Sequence, residues 1–111
     1  MPIADAANID SSGVLLSSSK LTRIALSSDN SHVSVQPGNR WGDVYEYLEP
    51  FGLSVVGGRI GSVGVPGLLL GGGVSFFGEE YGFASSTGNV RAFEVSSQTF
   101  LVLKASFVKK I

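Results

Sequence analysis

The chain has 111 residues, which is enough for one small domain and too few for a two-domain enzyme. Eight Lys and Arg residues against nine Asp and Glu residues give a net charge of -1, so no positive field attracts nucleic acid, and we expect no such partner. Cysteine is absent and His32 is the only histidine, which excludes disulfides, thiolate chemistry and paired-imidazole metal sites.

The first part of the chain predicts irregular structure followed by a short strand. Residues 1–10 lack the basic start and the apolar run of a secretory signal, so we interpret them as coil and leave the compartment open. Residues 10–13 are typical of a turn. The apolar run at residues 14–16 then favours a strand.

A β-hairpin is predicted next. Residues 21–26 and 32–36 alternate apolar and polar side chains, and the serine-rich residues 27–31 supply the turn between them. The apolar side chains expected on the buried face are Ile24, Leu26, Val33 and Val35. His32 then points away from that face, so we interpret it as a solvated histidine at the strand edge rather than as a base or ligand.

The clearest helix is predicted after the Pro37-Gly38 break. One face carries apolar side chains at the spacing i, i+3, i+4 and i+7, namely Trp41, Val44, Tyr45 and Leu48. Asn39 can cap its start, and Pro50 and Gly52 end it. The acids that lie off this stripe, Asp43, Glu46 and Glu49, are interpreted as a solvated face rather than as catalytic carboxylates.

Glycine is concentrated in the middle of the chain, directly after a brief strand predicted at residues 53–56. Eight of the 15 glycines lie within seventeen residues, at Gly57, Gly58, Gly61, Gly64, Gly67, Gly71, Gly72 and Gly73. No charged residue lies between Arg59 and Glu79, but the glycines, serines and proline of that stretch do not suit a transmembrane helix, so we expect no membrane partner.

The glycine spacing excludes two common nucleotide-binding motifs. It contains no G-x-G-x-x-G, and no Lys-Ser or Lys-Thr follows the glycines. Such backbone can still approach a ligand closely and turn several N–H groups toward an anion such as a diphosphate. Pro66 predicts a short helix through residues 68–70 that ends at Gly71 and whose start faces the anion. Tight turns inside a packed core explain the pattern equally well, and the spacing leaves both interpretations open.

The remainder of the chain predicts two further strands. Residues 74–77 and 81–83 are rich in aromatic side chains. Residues 89–95 and 99–108 read as strands, and the tail closes with two lysines.

Four segments, taken in order, resemble a known family. They run over residues 33–45, 56–59, 62–73 and 81–84, and include the words VSVQPGNRWGDVY, VGGR, SVGVPGLLLGGG and YGFA. These words resemble the FAD-binding domain of the vanillyl-alcohol oxidase and p-cresol methylhydroxylase superfamily, most closely the berberine-bridge-enzyme-like FAD-linked oxidoreductases of fungi. The resemblance covers about residues 8–95. It implies an α+β fold, namely a partial PCMH-type FAD-binding domain with a mixed or antiparallel sheet and flanking short helices.

The resemblance also implies FAD as cofactor and a set of residues that contact it. The backbone of Gly58, Ser62, Val63, Gly64 and Gly67 would contact the diphosphate and ribityl region, with Gly72 and Gly73 allowing close approach. A second cofactor-lining stretch would include Tyr81, Gly82, Asn89 and Val90, and Val95 would lie near the adenine. It implies no catalytic residue and no metal ligand in this chain, and a small-molecule substrate only for a full-length form.

This sequence departs from the family pattern in several places. We find no counterpart of the Gly-Gly-His loop whose histidine commonly bonds to the flavin, and Ile60 stands where bicovalent relatives have cysteine, so we expect non-covalent FAD binding at most. Pro66 replaces a glycine and removes one N–H donor. Residues 96–111 diverge from the family, so we expect residues 1–111 to form a partial domain, without a substrate domain and catalytically incomplete. The alternative is a non-catalytic fragment that acts as an interaction module.

Overall fold

The computed structural model describes residues 8–94 and the strand at residues 104–107. Its four strands are β1 (Ile24–Leu26), β2 (Val33–Val35), β3 (Val90–Glu94) and β4 (Lys104–Phe107). They form one antiparallel sheet in the order β1-β2-β4-β3, with a bulge between Val90 and Ala92 on β3. Together with the short helices described below, this sheet confirms the predicted α+β class.

The predicted hairpin is confirmed, with Ile24 paired to Val35 and Leu26 paired to Val33. Val33 and Val35 are buried, as their alternation with polar residues requires. In the connecting turn, the Asp29 carboxylate accepts hydrogen bonds from the Ser27 hydroxyl and the Ser31 N–H, which hold the pKa of Asp29 well below its usual range.

The predicted first helix is confirmed as α1 (Trp41–Leu48), with its apolar stripe turned into the core. The residue that caps its start differs from the prediction. The Asn39 amide donates to the carbonyl of Gln36 at 2.9 Å, and Arg40 occupies the capping position instead. Asp43 is exposed, as predicted for the solvated face, and its carboxylate also accepts the Arg40 N–H at 2.7 Å, a donor that the helix leaves free.

A single 3-10 turn (Glu49–Phe51) follows α1, and the two further helices are short: one lies within the glycine-rich loop at residues 57–73 and the other follows that loop. The first, α2 (Val65–Leu70), begins after Gly64, has a proline in its first turn and ends at Gly71, as predicted. The second, α3 (Gly78–Tyr81), is a single turn in the aromatic-rich part of the chain. In the described residues no helix has the length and apolarity needed to cross a membrane.

Two predicted strands are wrong, and two predictions extend beyond the described residues. Residues 14–16 are irregular and all three side chains are largely exposed, because no described strand pairs with them. Residues 53–56 form no continuous strand, although Val55 and Val56 are buried. Val95 lies outside the described residues, and β4 covers only part of the strand predicted at residues 99–108.

The core lies where the sheet meets α1, α2 and the segment that precedes the glycine cluster. Its largest member is Trp41, which is completely buried. The buried apolar residues are Val33, Val35, Trp41, Val44, Leu48, Val55, Val56, Val65, Leu69, Ala84 and Val90. This core fixes both ends of the first half of the glycine-rich loop, because the buried residues Val55 and Val56 precede residues 57–64 and the buried residue Val65 follows them.

Candidate cofactor site

The glycine-rich loop starts against the aromatic face of α1. A Cβ on Gly57 would overlap the Trp41 ring, and one on Gly58 would lie 2.5 Å from Trp41 Cδ1. The Tyr45 hydroxyl donates to the Gly58 carbonyl at 2.7 Å, and its ring stacks on Trp41 with centroids 6.1 Å apart. Burial raises the pKa of Tyr45 to about 12, so this donor keeps its proton at neutral pH. The packing therefore requires glycine at both positions and fixes the start of the loop.

The next part of the loop is held by the beginning of α1. The Trp41 N–H donates to the Val63 carbonyl at 3.0 Å, and the Gly42 N–H donates to the Gly61 carbonyl at 2.9 Å. The Arg40 guanidinium donates to the Ser62 carbonyl at 2.9 Å. Arg40 and the first turn of α1 thus donate to three successive carbonyls of the loop, those of Gly61, Ser62 and Val63.

Several N–H groups of the same loop remain available to a ligand. Among the described residues, the N–H groups of Gly61, Ser62 and Gly64 donate no hydrogen bond. All three residues are exposed. Because the Val63 carbonyl and the Val65 N–H both bond toward residues 39–41, the intervening Gly64 N–H points away from α1.

Two glycines of the loop have no packing reason within the described chain. A Cβ on Gly64 or on Gly67 would meet no described atom within 4 Å, and neither backbone lies in the left-handed region. Residues 57–73 contain no acidic side chain, and Arg59 is their only charged residue. Open glycine backbone with free N–H donors and no carboxylate fits the diphosphate of a dinucleotide, which needs close approach and hydrogen-bond donors.

The second glycine group has a structural role of its own. Gly72 and Gly73 have φ values of 94° and 79°, which other residues rarely adopt. A Cβ on Gly73 would lie 2.7 Å from the Cβ of Ala84, and the Ala84 N–H donates to the Gly73 carbonyl at 2.8 Å. The Ser85 hydroxyl bonds to the Gly72 carbonyl at 2.8 Å. These contacts join the glycine-rich loop to residues 84–85.

The predicted second stretch folds around the side chain of Asn89. This buried amide donates to the carbonyls of Tyr81 and Phe83, both at 2.9 Å, and so uses its N–H groups inside the chain. Val90 belongs to the core, whereas Gly82 is exposed with a φ of 74°. A hydrogen bond from the Tyr81 hydroxyl to the Glu80 carboxylate raises the pKa of Tyr81.

The structure thus arranges the predicted residues in two groups. Gly58, Ser62, Val63, Gly64 and Gly67 follow one another along the loop against α1. The second group lies between the end of the glycine-rich loop and the start of β3, where Gly73 contacts Ala84. It contains Gly72, Gly73, Tyr81, Gly82, Asn89 and Val90. The sequence prediction missed Arg40 and Tyr45 as supports of the loop. For Tyr45 the sequence did contain a signal, namely a hydroxyl group on an otherwise apolar helical stripe. Nothing in the sequence indicated that the Arg40 side chain would reach the Ser62 carbonyl.

Comparison with known proteins identifies the family. A family model described as an FAD binding domain matches residues 3–99. The chain belongs to the FAD-binding domain family. This confirms the resemblance deduced from the four segments, with FAD as the cofactor of an oxidoreductase flavoprotein family.

Relatives of this FAD-binding domain are fungal proteins of much greater length. An FAD-dependent monooxygenase of Arthrobotrys oligospora is 49% identical over 82 residues, which are 74% of this chain and 16% of the relative. One from Penicillium roqueforti is 48% identical over 88 residues, 78% of this chain and 17% of the relative. One from Aspergillus niger is 41% identical over 99 residues, 89% of this chain and 17% of the relative. The FAD-binding domain therefore spans about one sixth of the curated relatives that it matches.

Residues 57–73 offer a ligand backbone N–H donors and one cationic side chain. Within residues 57–73 the single ionisable side chain is a guanidinium, which does not exchange protons at physiological pH. The described residues contain no group of three His, Cys, Asp or Glu side chains that could hold a metal ion.

Proposed function

We propose that this FAD-binding domain holds FAD non-covalently through the backbone of residues 58–67, as part of an FAD-linked oxidoreductase. The observation that supports the proposal most strongly is the open space at Gly64 and Gly67, where the chain's own packing does not call for glycine. The free N–H groups beside Gly64 supply donors for a diphosphate at the same surface. The side chain of Ile60 offers no nucleophile for a covalent link.

Each supporting residue has a defined part in this proposal. Trp41 and Tyr45 fix the start of the loop, while Arg40 engages the Ser62 carbonyl and leaves the neighbouring N–H groups for the ligand. When bound there, FAD would supply redox chemistry, namely acceptance of a hydride from a substrate carbon and transfer of the electrons to oxygen. The names of the relatives, FAD-dependent monooxygenases, support a reaction that uses oxygen.

The proposal assigns cofactor binding to this chain and assigns no general base to it. The predicted contacts of Gly72, Gly73, Tyr81, Gly82, Asn89 and Val90 with FAD remain part of the proposal, and so does the partial domain formed by residues 1–111. We expect the chain alone to bind FAD without turning over a substrate.

A titration of FAD with a matched pair of glycine variants tests the proposal. The full chain should quench flavin fluorescence saturably, with a dissociation constant on the order of micromolar. Gly67→Ala should weaken FAD binding about tenfold, because its methyl group enters the space assigned to the cofactor. Gly78→Ala is the control, since a Cβ on Gly78 also meets no described atom but lies on α3, outside the predicted contacts. Equal affinities of the two variants for FAD would contradict the proposed site.

An interaction module is the alternative function, and exposed apolar side chains favour it. Leu70 is 76% exposed and Phe76 is 75% exposed. Large apolar patches of this kind often mark a binding surface. The FAD titration separates the two functions, because a folded chain that binds no FAD would leave only the interaction module.

A further inference from the structure

An open groove lies between the start of β1 and the solvent-facing side of α1. It has a volume of about 570 Å³, within the range of small-molecule sites. Its lining residues are Thr22, Ile24, Asn39, Asp43, Glu46 and Tyr47, and none of them belongs to the predicted FAD contacts. We propose that this groove binds a small organic cation, namely a short aliphatic diamine. The inference goes beyond the proposed function and does not depend on it.

The buried amide of Asn39 points to a ligand in this groove. The residue is only 4% exposed. Its Nδ2 donates to the Gln36 carbonyl at 2.9 Å, and because a carbonyl can only accept, this bond fixes the orientation of the amide. Within the described part of the chain, Oδ1 of Asn39 then accepts no hydrogen bond. A buried acceptor without a donor is costly, and an N–H group of a ligand in the groove would supply the donor.

Two carboxylates give the same groove a negative charge. Asp43 and Glu46 lie three residues apart on α1, so their side chains are neighbours on the helix surface. Oδ2 of Asp43 accepts the Arg40 N–H, but no described donor bonds to its Oδ1 or to the Glu46 carboxylate. The six lining residues include no lysine or arginine, and the nearby Arg40 guanidinium donates to the Ser62 carbonyl instead. The charges in the groove therefore favour a cation.

The walls of the groove favour an organic cation over a metal ion. Ile24 and the Tyr47 ring provide apolar surface, and the Tyr47 hydroxyl accepts the Leu26 N–H at 3.3 Å, which holds the ring beside β1. A calcium ion takes about six or more oxygen ligands and makes no use of apolar surface. A diamine can pair one ammonium group with each carboxylate while its methylene groups cover Ile24 and Tyr47.

The test compares putrescine with butanediol, its neutral diol analogue, by NMR of the full chain at low ionic strength. We expect saturable binding of putrescine with a dissociation constant on the order of millimolar, and at least about tenfold weaker binding of butanediol. Putrescine should shift the side-chain amide of Asn39 and the backbone amides of Asp43 and Glu46. Glu46→Gln should weaken putrescine binding about threefold to fivefold. Glu49→Gln is the control, because it removes the same charge from an exposed acid outside the groove.

Four results would overturn the inference. The first is equal affinity of the unchanged chain for putrescine and butanediol. The second is an equal loss of affinity in Glu46→Gln and Glu49→Gln, which would reduce the binding to a general attraction between charges. The third is an Asn39 side-chain amide that does not shift at saturation. The fourth is tighter binding of Ca²⁺ than of putrescine with shifts at the same amides, which would make a metal ion the ligand.

Discussion

Glycines of the same loop serve different purposes, and their neighbours reveal which. At Gly57 and Gly58 the Trp41 ring fills the space where a side chain would lie, so these residues serve packing. At Gly64 and Gly67 the same space is open, so a ligand can use it. At Gly73 the backbone conformation itself disfavours any other residue. A count of glycines therefore overstates the number of positions at which the described chain leaves open space beside the backbone.

The Tyr45 hydroxyl gives the stability of the fold a dependence on pH. Its pKa is about 12 in the folded chain, above the ordinary value of 10.0. As the pH rises above about 10, Tyr45 loses its proton in the unfolded state before it does so in the folded state. The protonated hydroxyl therefore contributes fully to the stability of the fold below about pH 10, and this contribution is lost between about pH 10 and 12. Urea unfolding midpoints should fall over this interval, and Tyr45→Phe should reduce the fall.

Tyr45→Phe also removes the hydrogen bond to the Gly58 carbonyl, so at neutral pH it should lower the free energy of unfolding by about 1 kcal/mol. Tyr47→Phe provides the comparison, since the Tyr47 hydroxyl accepts the Leu26 N–H and does not contact the loop. The same fall in midpoint above pH 10 in Tyr45→Phe and in the unchanged chain would show that other groups cause the alkaline loss.

Helix α1 is the element that connects the core to the site. One side of the helix fills the core with Trp41, Val44 and Leu48, and its first turn bonds to the carbonyls of Gly61 and Val63. A substitution that destabilises the first turn of α1 should therefore also weaken the hydrogen bonds that hold the glycine-rich loop.

The cap of α1 can be tested separately from its core. Asp43→Asn should lower the free energy of unfolding by about 0.5–1 kcal/mol, because it weakens a charge-assisted bond to the Arg40 N–H and removes an acid from the positive end of the helix. Urea unfolding measures this change. Glu46→Gln on the same helix is the control, as its side chain is exposed and lies past the first turn. A loss of stability in Glu46→Gln as large as that in Asp43→Asn would argue against a specific cap.

In the molecule as a whole, several large apolar side chains lie outside the core. Val14, Leu15 and Leu16 are 82%, 73% and 76% exposed, and they follow one another without a described strand partner. In an extended segment, successive side chains point to opposite faces, so three consecutive apolar residues are shielded from water only if both faces pack against other residues. Exposed in water, such a segment promotes association.

Sedimentation velocity should therefore show association of the full chain that grows with protein concentration. The double variant Leu15→Ser, Leu16→Ser should reduce it, because it removes apolar surface that association would bury. A Ser17→Ala, Ser19→Ala variant is the control from the same exposed segment. Association that is unchanged in the double leucine variant would place the contact elsewhere on the molecule.

Local patterns in the sequence were sufficient for part of the fold. The alternation in residues 21–36 predicted the β1–β2 hairpin, and the helical spacing from Trp41 predicted α1. Pro66 and Gly71 marked the ends of α2 closely. The four sequence segments together indicated the FAD-binding family, which the family model confirms. These features follow from sequence because turn residues and periodicity act between residues close together along the chain.

Long-range contacts determined the rest. Residues 14–16 and 53–56 have the composition of strands, yet a strand also needs a partner edge. Among the described residues, the first segment pairs with no strand and the second is limited to a β-bridge at Ser54. The sequence likewise left the glycine cluster open between core turns and ligand binding. The fold divides it between both, because the space beside a missing Cβ depends on residues such as Trp41 and Ala84, which lie many positions away along the chain.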